Sequence, residues 1–258
     1  APAAAWDTIV GNVLQVAEIL ARLRRERGIF IHLDIEPEPD CVIENTAETV
    51  AFFEERLWPL GVPRLADALS CSREEARESL ADHIRLCFDC CHFSVEHEAP
   101  RTALDRIRAA GIRIGRIQLS SALQVSMPAD GTAPARMKNR LRPFADSTYL
   151  HQVICKGHGG LQHFPDLPDA LEHGGPGDWR VHFHVPLFTS EYDGLSSTQH
   201  EVRDVLTAVT GGGVTSHLEI ETYTWDVLPG SLKIDLLESI AREYHWVLGH
   251  LRPATRIG

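Results

Sequence analysis

The sequence predicts an α/β fold, and more narrowly a (β/α)8 TIM barrel. Short apolar runs typical of buried strands alternate along the chain with segments whose apolar residues recur at helical spacing. This alternation is typical of a parallel sheet covered by helices. The chain has 258 residues, which is about the length of one such barrel. Only five strand–helix units stand out, so we expect a single barrel domain over residues 1–258 that lacks its N-terminal strands.

The first half of the chain carries the clearest elements. Apolar residues at helical spacing predict the helices, and capping residues, prolines and glycines mark their ends. Uninterrupted apolar runs bounded by polar residues predict the strands. In order, the predicted elements are a helix over Trp6–Arg27 that Gly28 ends, a strand over Ile29–Ile35, a helix after the capping box of Asn45 and Glu48, a helix that starts at Ser72 and Glu75, a strand over Ile84–Phe88, a helix from Pro100 to Gly111, and a strand over Ile112–Leu119.

The second half of the chain is less regular. Residues 124–146 are polar and contain prolines, and residues 174–178 form a glycine-rich loop. We therefore predict an irregular insertion at about 124–178, with one strand near Tyr149–Lys156. The elements predicted beyond it are an alternating strand over Trp179–Leu187, a helix over Ser197–Val209 that Gly211 to Gly213 end, a strand over Ser216–Glu221 and an amphipathic helix over Ser231–Leu251.

The charge and composition of the chain limit the kinds of molecule that it is expected to bind. The chain has 36 acidic and 25 basic residues, which gives a net charge of −11. An acidic surface repels phosphate backbones, so we expect a small-molecule substrate and no nucleic acid. No apolar stretch approaches the roughly 18–20 residues of a membrane span, and no signal peptide is visible. The six cysteines lack zinc-knuckle spacing, and reduced thiols in a cytoplasmic protein fit this pattern.

The segment from Asp89 to His92 is the most informative local motif. It follows the buried strand Ile84–Phe88, and active sites of parallel barrels lie where the strands end. A carboxylate and an imidazole three positions apart can share one divalent cation, or divide between a metal and a substrate proton. The alternative interpretation is an Asp that caps the next helix and a His in a loop.

Ligand-type side chains also occur at the other predicted strands. The C-terminal ends of barrel strands meet at one mouth, so these side chains would converge there. Carboxylate, amide and imidazole groups suit Mg²⁺, Mn²⁺, Co²⁺ and Zn²⁺, and two carboxylates can form an acid/base pair. Taken singly, each of these side chains is equally explained as an exposed loop charge or as a buried group that hydrogen-bonds to the backbone. The candidates are Glu36, Asp89 with His92, Gln118, His182, His184 and Glu221.

Several stretches resemble a known superfamily. The order of motifs along the chain resembles that of the xylose-isomerase-like TIM-barrel superfamily. The order is a strand-end Glu, an Asp-x-x-His, a Gln or His, and a Glu at the end of the last strand. That superfamily holds sugar isomerases, ketose epimerases and DNA-repair enzymes of the endonuclease IV type. More narrowly, the chain resembles the EboE family of a bacterial metabolite-traffic gene cluster. The segments that carry this narrower resemblance are Leu33–Pro39, Tyr149–Val153, Trp179–Pro186 and His217–Trp225.

The resemblance implies a divalent-metal cofactor (Mn, Mg, Co or Zn) and, as partners, a second copy of the chain or other proteins of that cluster. The implied metal ligands are Glu36, Asp89, Gln118 and Glu221. Glu36 and Glu221 would also be the catalytic pair that trades a substrate proton. The residues implied to bind the substrate are His92, His182 and His184. Gln118 departs from the commoner His at its place, which disfavours tight zinc binding.

Three functions are compatible with these residues. The first is a metal-dependent isomerase or epimerase that acts on a small polyhydroxylated or sugar-like metabolite. The second is a non-catalytic binding or carrier protein, since a fold alone does not decide function. The third is an endonuclease IV-like phosphodiesterase, which the acidic balance disfavours. Basic residues gather locally at Arg136, Lys138, Arg140 and Arg142, where they form a solvated loop or hold an anionic substrate over the mouth.

Overall fold

The computed structural model describes residues 3–130 and 133–251. Its helices are α1 (Ala3–Arg27), α2 (Thr46–Ala51), α3 (Trp58–Leu69), α4 (Arg73–His83), α5 (Cys90–Val95), α6 (Pro100–Ala109), α7 (Ala133–Leu141), α8 (Leu167–His173), α9 (Gln199–Thr210) and α10 (Leu236–Leu251). A π-helical stretch, Phe52–Leu57, joins α2 to α3, and single 3-10 turns lie at Arg142–Phe144 and Tyr223–Val227.

The strands form two separate sheets. They are β1 (Leu33–Ile35), β2 (Ile84–Asp89), β3 (Ile114–Leu119), β4 (Ala122–Met127), β5 (Val153–Gly157), β6 (Gly160–Phe164), β7 (Gly177–His184), β8 (Glu191–Tyr192), β9 (Leu195–Ser197) and β10 (Leu218–Ile220). Four of them form a parallel sheet in the order β1-β2-β3-β10. The other six form an antiparallel sheet in the order β6-β5-β7-β4-β9-β8. The α/β class predicted from the sequence is confirmed.

Helix ends follow the local signals in the sequence. Ser72 and Glu75, which mark a predicted helix start, form a capping box in which each side chain accepts a hydrogen bond from the backbone of the other. Asn45 caps α2 by accepting a hydrogen bond from the Glu48 backbone N–H at 3.1 Å. The Glu48 side chain accepts instead from the backbone N–H of Glu44, so this second capping box is incomplete.

The parallel sheet is buried on one face by helices. Leu86 and Phe88 of β2 and Ile117 and Leu119 of β3 are fully buried in this layer. Their alternation along each strand places the intervening polar residues on the opposite face. Asp89 and Gln118 are register partners on that face. This arrangement directs polar side chains at the strand ends toward the antiparallel sheet.

The antiparallel sheet corrects two expectations from the sequence. The strand predicted over Trp179–Leu187 was expected to join the parallel sheet, but β7 pairs antiparallel with β4 and β5. The region 124–178 was expected to be irregular apart from one strand, which is β5, but it also contributes most of β4, β6 and two helices. Leu123, Val125 and Met127 are buried on one face of β4. This strand was missed because a polar, proline-containing stretch follows its short alternating pattern.

Among the residues described, no helix combines the length and the apolar character that a membrane span requires.

Candidate metal centre

Carboxylates from three parallel strands meet at one edge of the sheet. Asp89 is the last residue of β2, Glu36 follows β1 directly, and Glu221 follows β10 directly. One carboxylate oxygen from each lies within 4.8 Å of the others. The parallel register explains the grouping, because the C-terminal ends of adjacent parallel strands share an edge.

Asp89 both caps a helix and contributes to the cluster. Its Oδ1 accepts a hydrogen bond from the His92 backbone N–H at 2.8 Å, which caps α5. The Ser120 hydroxyl lies 2.9 and 2.8 Å from its two oxygens and is positioned to donate to either. The side chain is fully buried. The two interpretations of Asp89 that the sequence left open are therefore compatible in this fold.

Three imidazoles face the carboxylates. His92 lies in the first turn of α5, and His182 and His184 lie on one face of β7. Each Nδ1 sits beside an oxygen acceptor: Pro37 O at 2.9 Å for His92, Gln152 Oε1 at 2.8 Å for His182 and Glu221 O at 2.9 Å for His184. Since these oxygens can only accept, each Nδ1 carries the proton that it donates.

The Nε2 atoms of two of these histidines are buried without a partner. Among the described residues, neither His182 Nε2 nor His184 Nε2 has a hydrogen-bond partner, and Glu221 Oε2 also lacks one. Buried polar atoms are rarely left unpaired in proteins. An imidazole whose Nδ1–H is held by an oxygen acceptor, with Nε2 free, is the usual state of a metal-binding histidine.

The histidines and acids combine into overlapping groups. The rings of His92 and His182 lie edge to face, with their centroids 4.7 Å apart. Within each group, one donor atom from every residue lies within 4.8 Å of the others. The three groups that contain a histidine of this site are Asp89 with His92 and His184, Glu38 with His92 and His182, and Cys91 with His182 and His184.

Burial shifts the pKa values of these groups in opposite directions. Desolvation lowers the pKa of His184 to about 3 and holds that of His182 well below its usual range. Both imidazoles are therefore neutral at pH 7. Burial raises the pKa of Glu36 to about 7, and burial together with the nearby charge of Asp89 raises that of Glu221. Carboxyl groups that ionise near neutral pH are suited to proton transfer.

An open cavity of about 520 Å³ lies over this cluster. Its size suits a small metabolite. It is lined by Glu36, Glu38, His92, Thr148, Tyr149, Leu150, Gln152, His182, His184, Glu221 and Tyr223. The cavity is shared between the two sheets, because its acids follow parallel strands and two of its histidines belong to β7.

Gln118 has a different environment from the other predicted ligands. It is buried beside Asp89 in the register of the parallel sheet. Its Oε1 accepts a hydrogen bond from the Cys87 thiol at 2.7 Å, and it is not among the residues that line the cavity. Asp89 does not line the cavity either, so Gln118 remains a predicted ligand beside Asp89.

The basic cluster at 136–142 does not line the cavity either. Lys138 Nζ donates to the backbone oxygen of Gly174, and Arg140 forms an ion pair with Asp193. Both side chains therefore have partners within the chain. The structure does not support the alternative in which they hold an anionic substrate over the mouth.

Sequence reasoning missed two kinds of site residue. Glu38 was not singled out, although its position two residues after Glu36 was an available signal. Cys91 was not singled out either. Gln152 and Tyr223 lie in segments that resemble the EboE family, but their place in the cavity depends on how the two sheets pack.

The donor set fits a divalent transition metal. Neutral imidazoles with free Nε2 atoms and several carboxylates suit Zn²⁺, Co²⁺ or Mn²⁺. Mg²⁺ prefers oxygen ligands alone. The unpartnered atoms of His182, His184 and Glu221 are the observation on which this fit depends.

Comparisons of the chain with protein-family models, curated proteins and solved structures found no match.

Proposed function

We propose that this chain is a metal-dependent, xylose-isomerase-like protein that isomerises or epimerises a small polyhydroxylated metabolite. In this proposal the parallel sheet is part of a TIM barrel, and its strand-end carboxylates line the barrel mouth. The resemblance to the EboE family belongs to the same proposal and places the reaction in metabolite traffic.

One observation carries the proposal. Carboxylates from three parallel strand ends lie within 4.8 Å of one another, and buried histidines leave their Nε2 atoms unpartnered beside them. Glu36, Asp89, Glu221, His92, His182 and His184 are the residues that would hold the metal. When bound, a divalent cation would polarise neighbouring oxygens of the ligand and acidify the C–H bond between them.

The carboxyl groups of Glu36 and Glu221 are suited to moving the substrate proton. Glu36, as a carboxylate, can take a proton from the carbon beside a carbonyl and return it to the carbonyl carbon. Glu221, also as a carboxylate, can accept the proton of the neighbouring hydroxyl and pass it to the carbonyl oxygen. One C–H bond breaks and another forms, so the reaction is an internal redox exchange without a co-reactant.

The spacing of the carboxyl groups favours isomerisation. Oxygens of Glu36 and Glu221 lie within 4.8 Å of each other, so both approach a bound ligand from nearby directions. An epimerase that uses two bases needs them on opposite faces of one carbon, about 6 Å apart for two contacts of about 3 Å each. A proton shift between adjacent carbons needs one face only.

The cavity lining indicates an uncharged ligand. Within the part of the chain that the structure describes, the lining contains no Lys or Arg. Phosphate and carboxylate groups are usually bound by such cations. Hydroxyl groups can instead bond to Gln152, Thr148 and the acids of the lining, which favours a neutral polyhydroxylated molecule.

Proton exchange with solvent tests the proposal. The protein loaded with Mn²⁺ or Zn²⁺ would be incubated with a panel of ketoses and aldoses in deuterium oxide, and C–H loss followed by NMR. We expect deuterium at the carbon beside the carbonyl and loss of exchange in Glu36→Gln. The matched control Glu219→Gln, from a half-exposed acid on β10 paired with Arg116, should retain exchange. Metal and ligand binding without exchange would replace this reaction with a carrier function.

A DNA-binding titration separates the nuclease alternative. We expect no appreciable binding to duplex DNA with or without an abasic site at physiological salt, because the net charge is −11. Submicromolar, salt-sensitive binding to an abasic duplex would overturn the metabolite proposal in favour of phosphodiesterase chemistry.

A further inference from the structure

A second group of metal-ligand residues lies outside the cavity. Glu44 precedes α2, Glu96 follows α5 directly, and His163 lies on β6. One donor atom from each lies within 4.8 Å of the others. None of the three lines the cavity of the candidate metal centre, so this group is separate from the proposed catalytic site.

Glu96 is the unusual member of the group. It is only 6% exposed, and among the described residues its Oε1 has no hydrogen-bond partner. A buried carboxylate without a partner is strongly destabilised. Burial, and after it the charges of Glu44, Glu98 and Glu48, raise the pKa of Glu96 to about 8. A side chain in this environment needs a proton or a cation.

The neighbouring acids already have other partners. Glu98 Oε2 accepts a hydrogen bond from the Thr46 backbone N–H at 3.0 Å. Glu48 Oε2 accepts one from the Glu44 backbone N–H at 2.8 Å. These bonds order the start of α2 and leave the side chains of Glu44, Glu96 and His163 to face one another.

The spacing of these three side chains suits a small cation. His163 Nδ1 and Glu44 Oε2 lie 3.9 Å apart, which is too long for a hydrogen bond. Two ligands about 2.05 Å from a tetrahedral zinc ion lie roughly 3.3 Å apart. The His163 side chain is half-exposed (47%), so a small rotation can bring its Nδ1 from the observed distance to the ligand–ligand distance of a zinc site.

We propose that Glu44, Glu96 and His163 form a second divalent-cation site that binds Zn²⁺. His nitrogen and Glu oxygen are both zinc ligands, and three protein ligands with a water complete a tetrahedron. The ion joins three parts of the chain, namely the loop that follows β1, the end of α5 and the β5–β6 hairpin. That loop carries Glu36 and Glu38, so zinc here braces one wall of the cavity without taking part in its chemistry.

Zinc titration in a background without the cavity histidines tests the site. The variant His182→Ala/His184→Ala removes imidazoles from the first centre, and its residual zinc affinity is measured by competition with a chromophoric chelator. We expect about one equivalent to remain. Adding Glu96→Gln or His163→Ala should weaken that equivalent by about 100-fold or more, since even changes around the ligands typically cost 10–100-fold.

Matched controls make the test decisive. His158→Ala removes an exposed histidine from the turn of the same hairpin and should leave zinc binding intact. Cys41→Ser removes an exposed thiol near Glu38 and should also leave it intact. Glu96→Gln should match or exceed the Tm of its parent without zinc and lose the rise in Tm that zinc produces. Residual binding that survives both Glu96→Gln and His163→Ala, or that disappears in Cys41→Ser, would overturn the proposal.

Discussion

The parallel and antiparallel sheets of this protein supply different chemistry to one cavity. The parallel sheet packs with helices around one buried cluster that includes Leu86, Phe88 and Ile117. The antiparallel sheet has its own cluster, which includes Trp179 and Phe183. Carboxylates follow the parallel strands, whereas two of the imidazoles lie within β7. The difference shows that the candidate centre is complete only where the two packed layers meet.

The two sources of ligands also respond to pH in opposite ways. Burial raises the pKa of the strand-end acids and lowers that of the β7 histidines. Both shifts favour uncharged side chains in the metal-free protein. A divalent cation would instead be bound by the ionised acids and the neutral histidines, so metal binding releases protons from the acids alone.

The largest expected effect on stability comes from truncating a large buried side chain in either core. Phe88 stacks on Phe93 with ring centroids 4.1 Å apart, and Phe183 meets Phe144 edge to face at 5.1 Å. Both are fully buried. Phe88→Ala and Phe183→Ala should each lower the free energy of unfolding by about 3–5 kcal/mol, measured by urea denaturation of metal-free protein. If the losses in unfolding free energy add in the double variant, the two cores are energetically separate. A loss below about 1 kcal/mol for Phe183→Ala would show that the second core is loosely packed.

Removing one ligand from each sheet should have the next largest effect. Asp89→Asn retains a side chain that can cap α5 but loses the charge, and His184→Ala removes an Nε2 donor. Each should reduce metal affinity by about 100-fold or more, measured by chelator competition. Glu219→Gln is the control on the same edge of the sheet. If only Asp89→Asn weakens binding, the metal belongs to the parallel sheet alone.

A pH series distinguishes the acids from the histidines. A carboxyl group whose pKa is raised on folding stabilises the protein below its ordinary pKa of 4.5, and this stability is lost as the pH rises through about 7. Metal-free Glu36→Gln should therefore gain stability over the parent between pH 4.5 and 7, reaching roughly 2 kcal/mol. His184 acts in the opposite sense, because its lowered pKa costs stability as the pH falls below 6.5 toward about 3. If the unfolding free energies of Glu36→Gln and its parent changed with pH in the same way, the raised pKa of Glu36 would be contradicted.

The smallest expected effect concerns the orientation of His182. Gln152 Oε1 accepts from His182 Nδ1 at 2.8 Å and so directs Nε2 toward the cavity. Gln152→Ala should weaken metal binding by about 10-fold, which is the lower end for partners that orient a ligand. Gln124→Ala is a matched control, since that amide donates to Asp178 instead. Unchanged affinity in Gln152→Ala would mean that packing alone orients the ring.

Much of the local structure was predictable from the sequence. The Ser72 capping box, the helix ends at Gly28 and Gly111, and the strands β2 and β3 follow short-range signals. The grouping of Glu36, Asp89 and Glu221 also follows from the pattern, because each sits at the end of a parallel strand. The burial of Gln118 beside Asp89 and the bond from the Cys87 thiol to its amide oxygen depend on strand register, which short-range signals do not give.

The sequence by itself determined the α/β class, several helix boundaries and the acids at the parallel strand ends. Only the tertiary structure decided that β7 runs antiparallel, that residues 124–178 form most of a second sheet, and that two of its histidines face those acids. The physical reason is the range of each signal. Hydrophobic periodicity and capping depend on neighbours within a few residues, whereas strand direction and the meeting of two sheets depend on contacts between segments far apart in the chain.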